Sequence, residues 1–116
     1  MRIYVYDQCS SCRKALGFLK DHGLDCEIIP IRQQPPALEE LVDAIQTSGY
    51  LLKQLFNVAG RDYRSMNMKD RLKGMSQADA LLLLSKHGNL VKRPVLVHKH
   101  GVLIGFDLGR WVECFL

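Results

Sequence analysis

The fold is decided by residues 3–12, Ile3-Tyr4-Val5-Tyr6-Asp7-Gln8-Cys9-Ser10-Ser11-Cys12, in which a Cys-x-x-Cys pair joins a short strand to a helix. The first four of these residues are β-branched or aromatic, which favours a strand, and Asp7 ends the run. The apolar positions that follow recur with the spacing of an amphipathic helix: Cys12, Ala15, Leu16 and Leu19. The sequence therefore predicts a strand, a cysteine pair and a helix in close succession.

This position suits the two cysteines to redox chemistry. A helix N-terminus presents unpaired backbone N–H groups and the positive end of the helix dipole, so a thiol there ionises more readily. With two residues between them, the sulfurs lie about one helical turn apart, close enough to form a disulfide. Ser10 and Ser11 are small and leave the first sulfur open to attack. We therefore predict that Cys9 is the nucleophile and that the more shielded Cys12 is the resolving thiol.

Two other interpretations of the pair stay open: half of a zinc site, or two cysteines used only as small buried side chains. A zinc site normally needs a second ligand pair at a suitable spacing. The remaining cysteines, Cys26 and Cys114, are far apart in the sequence, which leaves His98 and His100 as candidate partners. These histidines fall in the turn of a predicted hairpin. The redox interpretation is favoured, and no bound metal is expected.

Composition narrows the class of protein further. A chain of 116 residues with 47% hydrophobic residues fits one domain, residues 1–116, with a core that needs no disulfides. The net charge of +4 suits an anionic ligand or partner, but no dense Lys/Arg run with interleaved aromatic residues predicts direct binding to nucleic acid. No apolar run reaches the length of a signal sequence or a membrane span. We expect a cytoplasmic protein without membrane interaction, in which a Cys-x-x-Cys pair is catalytic or redox-sensing.

The order of the remaining predicted elements gives the fold class. Residues 26–31 are predicted to form a second buried strand, parallel to the first. A helical insertion of about residues 36–88 follows, and then a β-hairpin of residues 94–97 and 102–104. Residues 108–116 form a last helix. This α/β order, in which an insertion separates a β-α-β half from a hairpin-helix half, predicts a thioredoxin-like (glutaredoxin-like) mixed sheet flanked by helices.

Three stretches of the chain together resemble a known family. They are Cys9-Ser10-Ser11-Cys12-Arg13-Lys14, Leu55-Phe56-Asn57 with Tyr63-Arg64, and Lys92-Arg93-Pro94-Val95-Leu96-Val97. The combination is similar to the arsenate reductase (ArsC) family, which includes the Spx-type transcriptional regulators, and the resemblance covers essentially the whole chain.

The resemblance implies roles for individual residues. Cys9 matches the family nucleophile, and Cys12 matches the second cysteine of the Spx-type members. Arg93 matches the arginine with which the reductases hold the oxyanion, and Pro94 matches the proline that is cis in thioredoxin-like folds. With Pro94 beside the first cysteine, His98 would lie roughly 13 Å further along the strand, beyond the reach of a shared metal ion.

The expected anion-binding residues are Ser10, Ser11, Arg13, Arg93 and Pro94. Cations in the first turn of a helix oppose its dipole, so Arg13 is explained if an anion lies in front of it, or else as an ordinary solvated side chain. The family reductases use two further arginines where this chain has Leu55-Phe56-Asn57-Val58 and Leu103-Ile104-Gly105. Arg61 and Arg64 are the candidate substitutes.

Two functional hypotheses follow. The first is a thiol-dependent oxidoreductase without a bound cofactor, which reduces a small oxyanion or a mixed disulfide with electrons from glutathione or from a thioredoxin or glutaredoxin. The second, implied by the resemblance to the Spx-type members, is a redox switch that binds the C-terminal domain of the RNA polymerase α subunit. A member with the fold and no activity is the third possibility.

Overall fold

The protein is built on a four-stranded mixed sheet, and the computed structural model describes all residues from Met1 to Leu116. The strands are β1 (Arg2–Val5), β2 (Glu27–Pro30), β3 (Val95–His98) and β4 (Gly101–Ile104). They lie in the order β2-β1-β3-β4, with β1 parallel to β2 and antiparallel to β3, and β3 antiparallel to β4. The predicted β-α-β start and C-terminal hairpin are therefore confirmed.

Six α-helices accompany the sheet. They are α1 (Ser10–Asp21), α2 (Leu38–Gln46), α3 (Arg61–Ser65), α4 (Met68–Arg71), α5 (Gln77–Lys86) and α6 (Leu108–Phe115). Short 3₁₀ helices occupy Leu52–Leu55, Leu72–Gly74 and Gly88–Leu90. The helices from α2 to α5 form the insertion between β2 and β3 that the sequence predicts. None of the helices combines the length and the apolar character needed to cross a membrane.

Both faces of the sheet are covered by buried clusters. Successive side chains of β1 point to opposite faces and join different clusters. Ile3 and Val5 join a buried cluster with residues of α1 and α6, whereas Tyr4 joins the larger cluster built mainly from the insertion. Trp111 is fully buried in the first cluster, where its Nε1–H donates a hydrogen bond to the carbonyl oxygen of Gly105 at 3.2 Å. Helices therefore pack on both faces of the sheet. The chain leaves the sheet where β1 ends, and Cys9 follows there.

The prediction that residues 26–31 form a buried strand is wrong in one respect. The strand exists as β2, but Ile28 is 58% exposed and Ile29 is only partly buried, whereas Ile31, which follows the strand, is fully buried. β2 pairs with β1 alone and forms the edge of the sheet. A short apolar run does not distinguish an edge strand from a central one, so only the strand order reveals this exposure.

A buried carboxylate ties β1 to the start of α2. Glu40 is 6% exposed, and its Oε1 accepts hydrogen bonds from the Tyr4 hydroxyl at 2.6 Å and from the Ala37 backbone N–H at 2.9 Å. Its Oε2 accepts a hydrogen bond from Arg2 Nε at 2.7 Å. Burial, followed by the hydrogen bond to Glu40, raises the pKa of Tyr4 to about 12, so this hydroxyl stays a donor. The network anchors the insertion to the central strand of the sheet.

We expect Glu40→Ala to lower the free energy of unfolding by roughly 2–4 kcal/mol, because it leaves the Tyr4 hydroxyl and the Ala37 N–H without their acceptor. Glu39→Ala, an exposed position on the same turn, is the matched control and should change it by less than about 0.5 kcal/mol. Urea denaturation followed by circular dichroism measures both. Equal values for the two variants would contradict a structural role for the network.

Candidate active site

Cys9 is the N-cap residue of α1, at the point where the chain leaves β1. Its backbone is extended (φ −114°, ψ 119°), and its Sγ accepts a hydrogen bond from the Cys12 backbone N–H at 3.3 Å. Its carbonyl oxygen accepts the first hydrogen bond of the helix, from the Arg13 N–H at 3.1 Å. The half-buried sulfur therefore lies against the free amide groups of the first helical turn.

Cys12 lies one turn further along α1, on its core-facing side, and is 1% exposed. Its Sγ accepts a hydrogen bond from the Tyr6 backbone N–H at 3.5 Å. Burial, together with the neighbouring Cys9, raises the pKa of Cys12 to about 12. Both cysteines are free thiols in this structure. Cys12 therefore keeps its proton, as a shielded second thiol should.

The ionisation of Cys9 is controlled by opposing effects. Burial favours the neutral thiol, but hydrogen bonds from the Cys12 side chain and backbone and the guanidinium of Arg93 outweigh it, so the pKa of Cys9 lies below its usual value. Arg93 is the cation whose hydrogen bond and charge favour the Cys9 thiolate. A lowered pKa increases the fraction of thiolate, which is the nucleophilic form of cysteine.

The loop ahead of β3 supplies Arg93. The Arg93–Pro94 peptide bond is cis, and the carbonyl oxygen of Pro94 accepts a hydrogen bond from the Gly105 N–H at 2.7 Å. Half-buried Arg93 places its guanidinium carbon 4.9 Å from the centre of the Tyr6 ring. Since β3 lies directly beside β1, this loop ends next to the chain that carries Cys9.

The structure adds an arginine that the sequence analysis missed. The guanidinium carbon of Arg32, just beyond β2, lies 4.1 Å from the centre of the Tyr6 ring. Its Nε donates a hydrogen bond to Asn89 Oδ1 at 2.6 Å. Parallel strands end at the same edge of a sheet, so the residue that follows β2 belongs near the residues that follow β1. That rule, applied to the predicted β-α-β unit, would have located Arg32.

Arg32 and Arg93 line one polar cavity of about 500 Å³ together with Arg61, the first residue of α3. Arg61 was a candidate substitute for the missing family arginines, and it lies at this cavity. Arg64, the other candidate, does not line it. The cavity also contains Asp62, whose Oδ2 accepts a hydrogen bond from Asn89 Nδ2 at 3.1 Å.

Arg13 lines a different cavity, of about 690 Å³, along α1 and β2. That cavity is partly apolar, with Leu16 and Ile28 in its wall, and it also contains Tyr6 and Arg32. Of the other expected anion-binding residues, Ser10 is exposed and Ser11 half-buried, and neither lines either cavity. The structure thus places Arg93 in the polar cavity and Arg13 in the larger one, whose wall also includes Cys12.

His98 and His100 lie at the end of the sheet opposite to Cys9, where β3 turns into β4. His98 Nε2 is 3.6 Å from the Sγ of Cys114 on α6, and the His98 ring lies 5.9 Å from that of Phe115. His98 is half-buried at the end of β3, so of the two histidines predicted in the hairpin turn only His100 lies there. No three His, Cys, Asp or Glu side chains form a group arranged to hold a metal ion.

We expect Arg93→Gln to raise the pKa of Cys9, because it removes a positive charge that favours the thiolate. The alkylation rate of Cys9 would then reach half of its maximum at a higher pH than in the parent protein. The measurement uses a Cys26→Ser/Cys114→Ser background, in which Cys9 is the only reactive thiol. Arg64→Gln removes an equal charge outside the cavity and is the control. Identical pH profiles for the two variants would exclude Arg93 as the activating cation.

Comparison with known proteins shows which family the chain resembles in sequence and fold. The model of the ArsC family matches residues 4–114. The uncharacterized protein YusI of Bacillus subtilis (strain 168) is 41% identical over 113 residues, which cover 97% of this chain and 96% of that protein.

A solved structure and a regulator extend the comparison. The crystal structure of a possible arsenate reductase from Streptococcus mutans UA159 is 36% identical, with a TM-score of 0.88 over 98% of this chain and 97% of that one. The global transcriptional regulator Spx of Bacillus subtilis (strain 168) is 20% identical, over 90% of this chain and 79% of the regulator. The matched fold is thioredoxin-like, as predicted. The chain therefore belongs to the ArsC family.

Proposed function

We propose that this protein is a thiol-disulfide oxidoreductase in which Cys9 is the nucleophile and Cys12 the resolving thiol. The observation that carries the proposal is the opposite ionisation of two cysteines one helical turn apart. The pKa of Cys9 is lowered, whereas that of buried Cys12 is raised to about 12. A reactive thiolate beside a protonated, shielded thiol is the arrangement that two-step disulfide exchange requires.

The exchange proceeds in two steps. The Cys9 thiolate attacks one sulfur of a disulfide R–S–S–R′, forms Cys9–S–S–R and releases R′–S⁻, which takes up a proton from solvent. Cys12 then loses its proton and attacks the Cys9 sulfur, which forms the Cys9–Cys12 disulfide and releases R–S⁻. The substrate gains two electrons, and the protein loses two.

An external thiol returns the two electrons. In the reducing cytoplasm, where we place the protein, two glutathione molecules or the dithiol of a thioredoxin or glutaredoxin would reduce the Cys9–Cys12 disulfide. A small oxyanion is the other acceptor to test, with Arg93 as its contact. No bound cofactor enters either route.

Steady-state turnover tests the proposal. Purified protein is supplied with arsenate or with a glutathione mixed disulfide, and with glutathione plus glutaredoxin or with thioredoxin as the donor. We expect Cys9→Ser to reduce turnover by roughly three orders of magnitude, because the nucleophile is lost. Cys12→Ser should accumulate the Cys9 mixed disulfide, which mass spectrometry detects. Cys26→Ser is the control, and turnover that survives in Cys9→Ser would refute the assignment.

A redox switch is the second candidate. The Cys-x-x-Cys pair and the similarity to a global transcriptional regulator favour it. In this case the Cys9–Cys12 disulfide would alter binding to the C-terminal domain of the RNA polymerase α subunit. Calorimetric titration of that domain with reduced and with oxidised protein distinguishes the two functions. Absence of binding by both the reduced and the oxidised protein would rule out the redox-switch function.

A further inference from the structure

The polar cavity beside the cysteine pair has a strongly cationic wall. Arg32, Arg61 and Arg93 line it, and Asp62 is its one acidic residue. The carboxylate of Asp62 is hydrogen-bonded to Asn89, and no ion pair joins it to any of the three arginines. The guanidinium charges therefore remain available to an anionic ligand.

The cavity lies beside the reactive sulfur rather than on it. Tyr6 lines the cavity, and its backbone N–H donates a hydrogen bond to the Cys12 sulfur at 3.5 Å, but neither Cys9 nor Cys12 is part of the lining. An oxyanion that is to be reduced must meet the sulfur directly, because its central atom is the one attacked. A carboxylate several bonds away from a reacting sulfur instead needs a cationic site next to the nucleophile.

Size and polarity favour the second kind of ligand. A volume of about 500 Å³ lies in the range of sites for small organic molecules and exceeds the needs of one tetrahedral ion. The side chains of Asn57 and Asn89 add amide donors and acceptors beside the arginines. Such groups suit the carboxylates and peptide groups of a short peptide.

The chain is closely packed where the cavity wall meets the start of α3. A Cβ on Gly60 would lie 2.5 Å from Asn57 Nδ2, and the Gly60 N–H donates to the Asn57 carbonyl oxygen at 3.0 Å. Arg61 follows directly. On the other wall, the Arg32 side chain is held over the Tyr6 ring and by Asn89.

We propose that Arg32 and Arg61, together with Arg93, bind the carboxylate of a peptide-sized disulfide substrate and thereby determine the substrate specificity of Cys9. The inference rests on the proposed thiol-disulfide exchange. Cys9 attacks the sulfur of the carboxylate-bearing half and expels the other half as a thiolate. Cys12 then gives up its proton and displaces the carboxylate-bearing half, which leaves as a thiolate and takes up a proton, and two molecules of an external thiol such as glutathione reduce the Cys9–Cys12 disulfide.

Selectivity between an anionic and a neutral substrate is the test. The probes are the glutathione–hydroxyethyl mixed disulfide, which carries carboxylates, and bis(2-hydroxyethyl) disulfide, which carries none. Thioredoxin is the electron donor for both, because free glutathione would convert the neutral probe into the anionic one. In Arg32→Gln and in Arg61→Gln we expect the ratio of kcat/KM for the anionic over the neutral probe to fall about tenfold, mainly through KM, because a charge-assisted hydrogen bond is lost. Arg64→Gln, outside the cavity, is the matched control. An unchanged ratio in both variants would overturn the proposal.

Two further experiments are needed. One distinguishes a peptide carboxylate from a free oxyanion as the ligand, and the other distinguishes failure of this proposal from failure of the proposed function. If arsenate is turned over and Arg32→Gln and Arg61→Gln impair that reaction alone, the cavity serves a free oxyanion and the proposal is wrong. If the parent protein reduces neither disulfide, the proposed function fails, and binding is tested separately. In that case Cys9→Ser protein is titrated with glutathione disulfide by calorimetry, where weaker binding in the two arginine variants supports the cavity and equal binding refutes it.

Discussion

The site depends on the hydrogen bond between the Cys12 backbone N–H and the Cys9 sulfur, at the junction of β1 and α1. β1 is hydrogen-bonded to neighbours on both sides, so its end is held firmly in the sheet. The first turn of α1 has amide groups that no residue of the helix can accept from, and the sulfur takes up one of them. Cys9 is thereby positioned by a strand and a helix rather than by a long loop.

Burial and hydrogen bonding give two chemically identical side chains, Cys9 and Cys12, different pKa values. Both sulfurs are partly or fully withdrawn from water, which by itself opposes ionisation of each. Cys9 overcomes this effect because it accepts hydrogen bonds and is acted on by Arg93, whereas at Cys12 burial and the neighbouring Cys9 outweigh the hydrogen bond from the Tyr6 N–H and the charge of Arg93. The protonated Cys12 then stabilises the Cys9 thiolate, so the asymmetry is self-reinforcing.

The cationic cavity is assembled from three separate parts of the chain. Arg32 follows β2, Arg61 begins α3 in the insertion, and Arg93 precedes β3. The central β1 brings them together because it pairs with β2 on one side and β3 on the other. Tyr6, which follows β1, supplies the ring beside which both Arg32 and Arg93 lie. The insertion thus forms one wall of a cavity whose other walls are residues that directly follow or precede the strands.

The sequence by itself determined the β-α-β start, the hairpin and the place of Cys9 at the start of α1. These features rest on alternation, helical spacing and capping, which are local in the chain. Only the tertiary structure decided that β2 is an exposed edge, that Arg32 and Arg61 line one cavity with Arg93, and that Glu40 is buried against Tyr4 of β1. These outcomes depend on contacts between distant residues, such as Arg32 with Asn89, 57 positions apart. A local sequence pattern does not show which polar residues will lie close together after the sheet has packed.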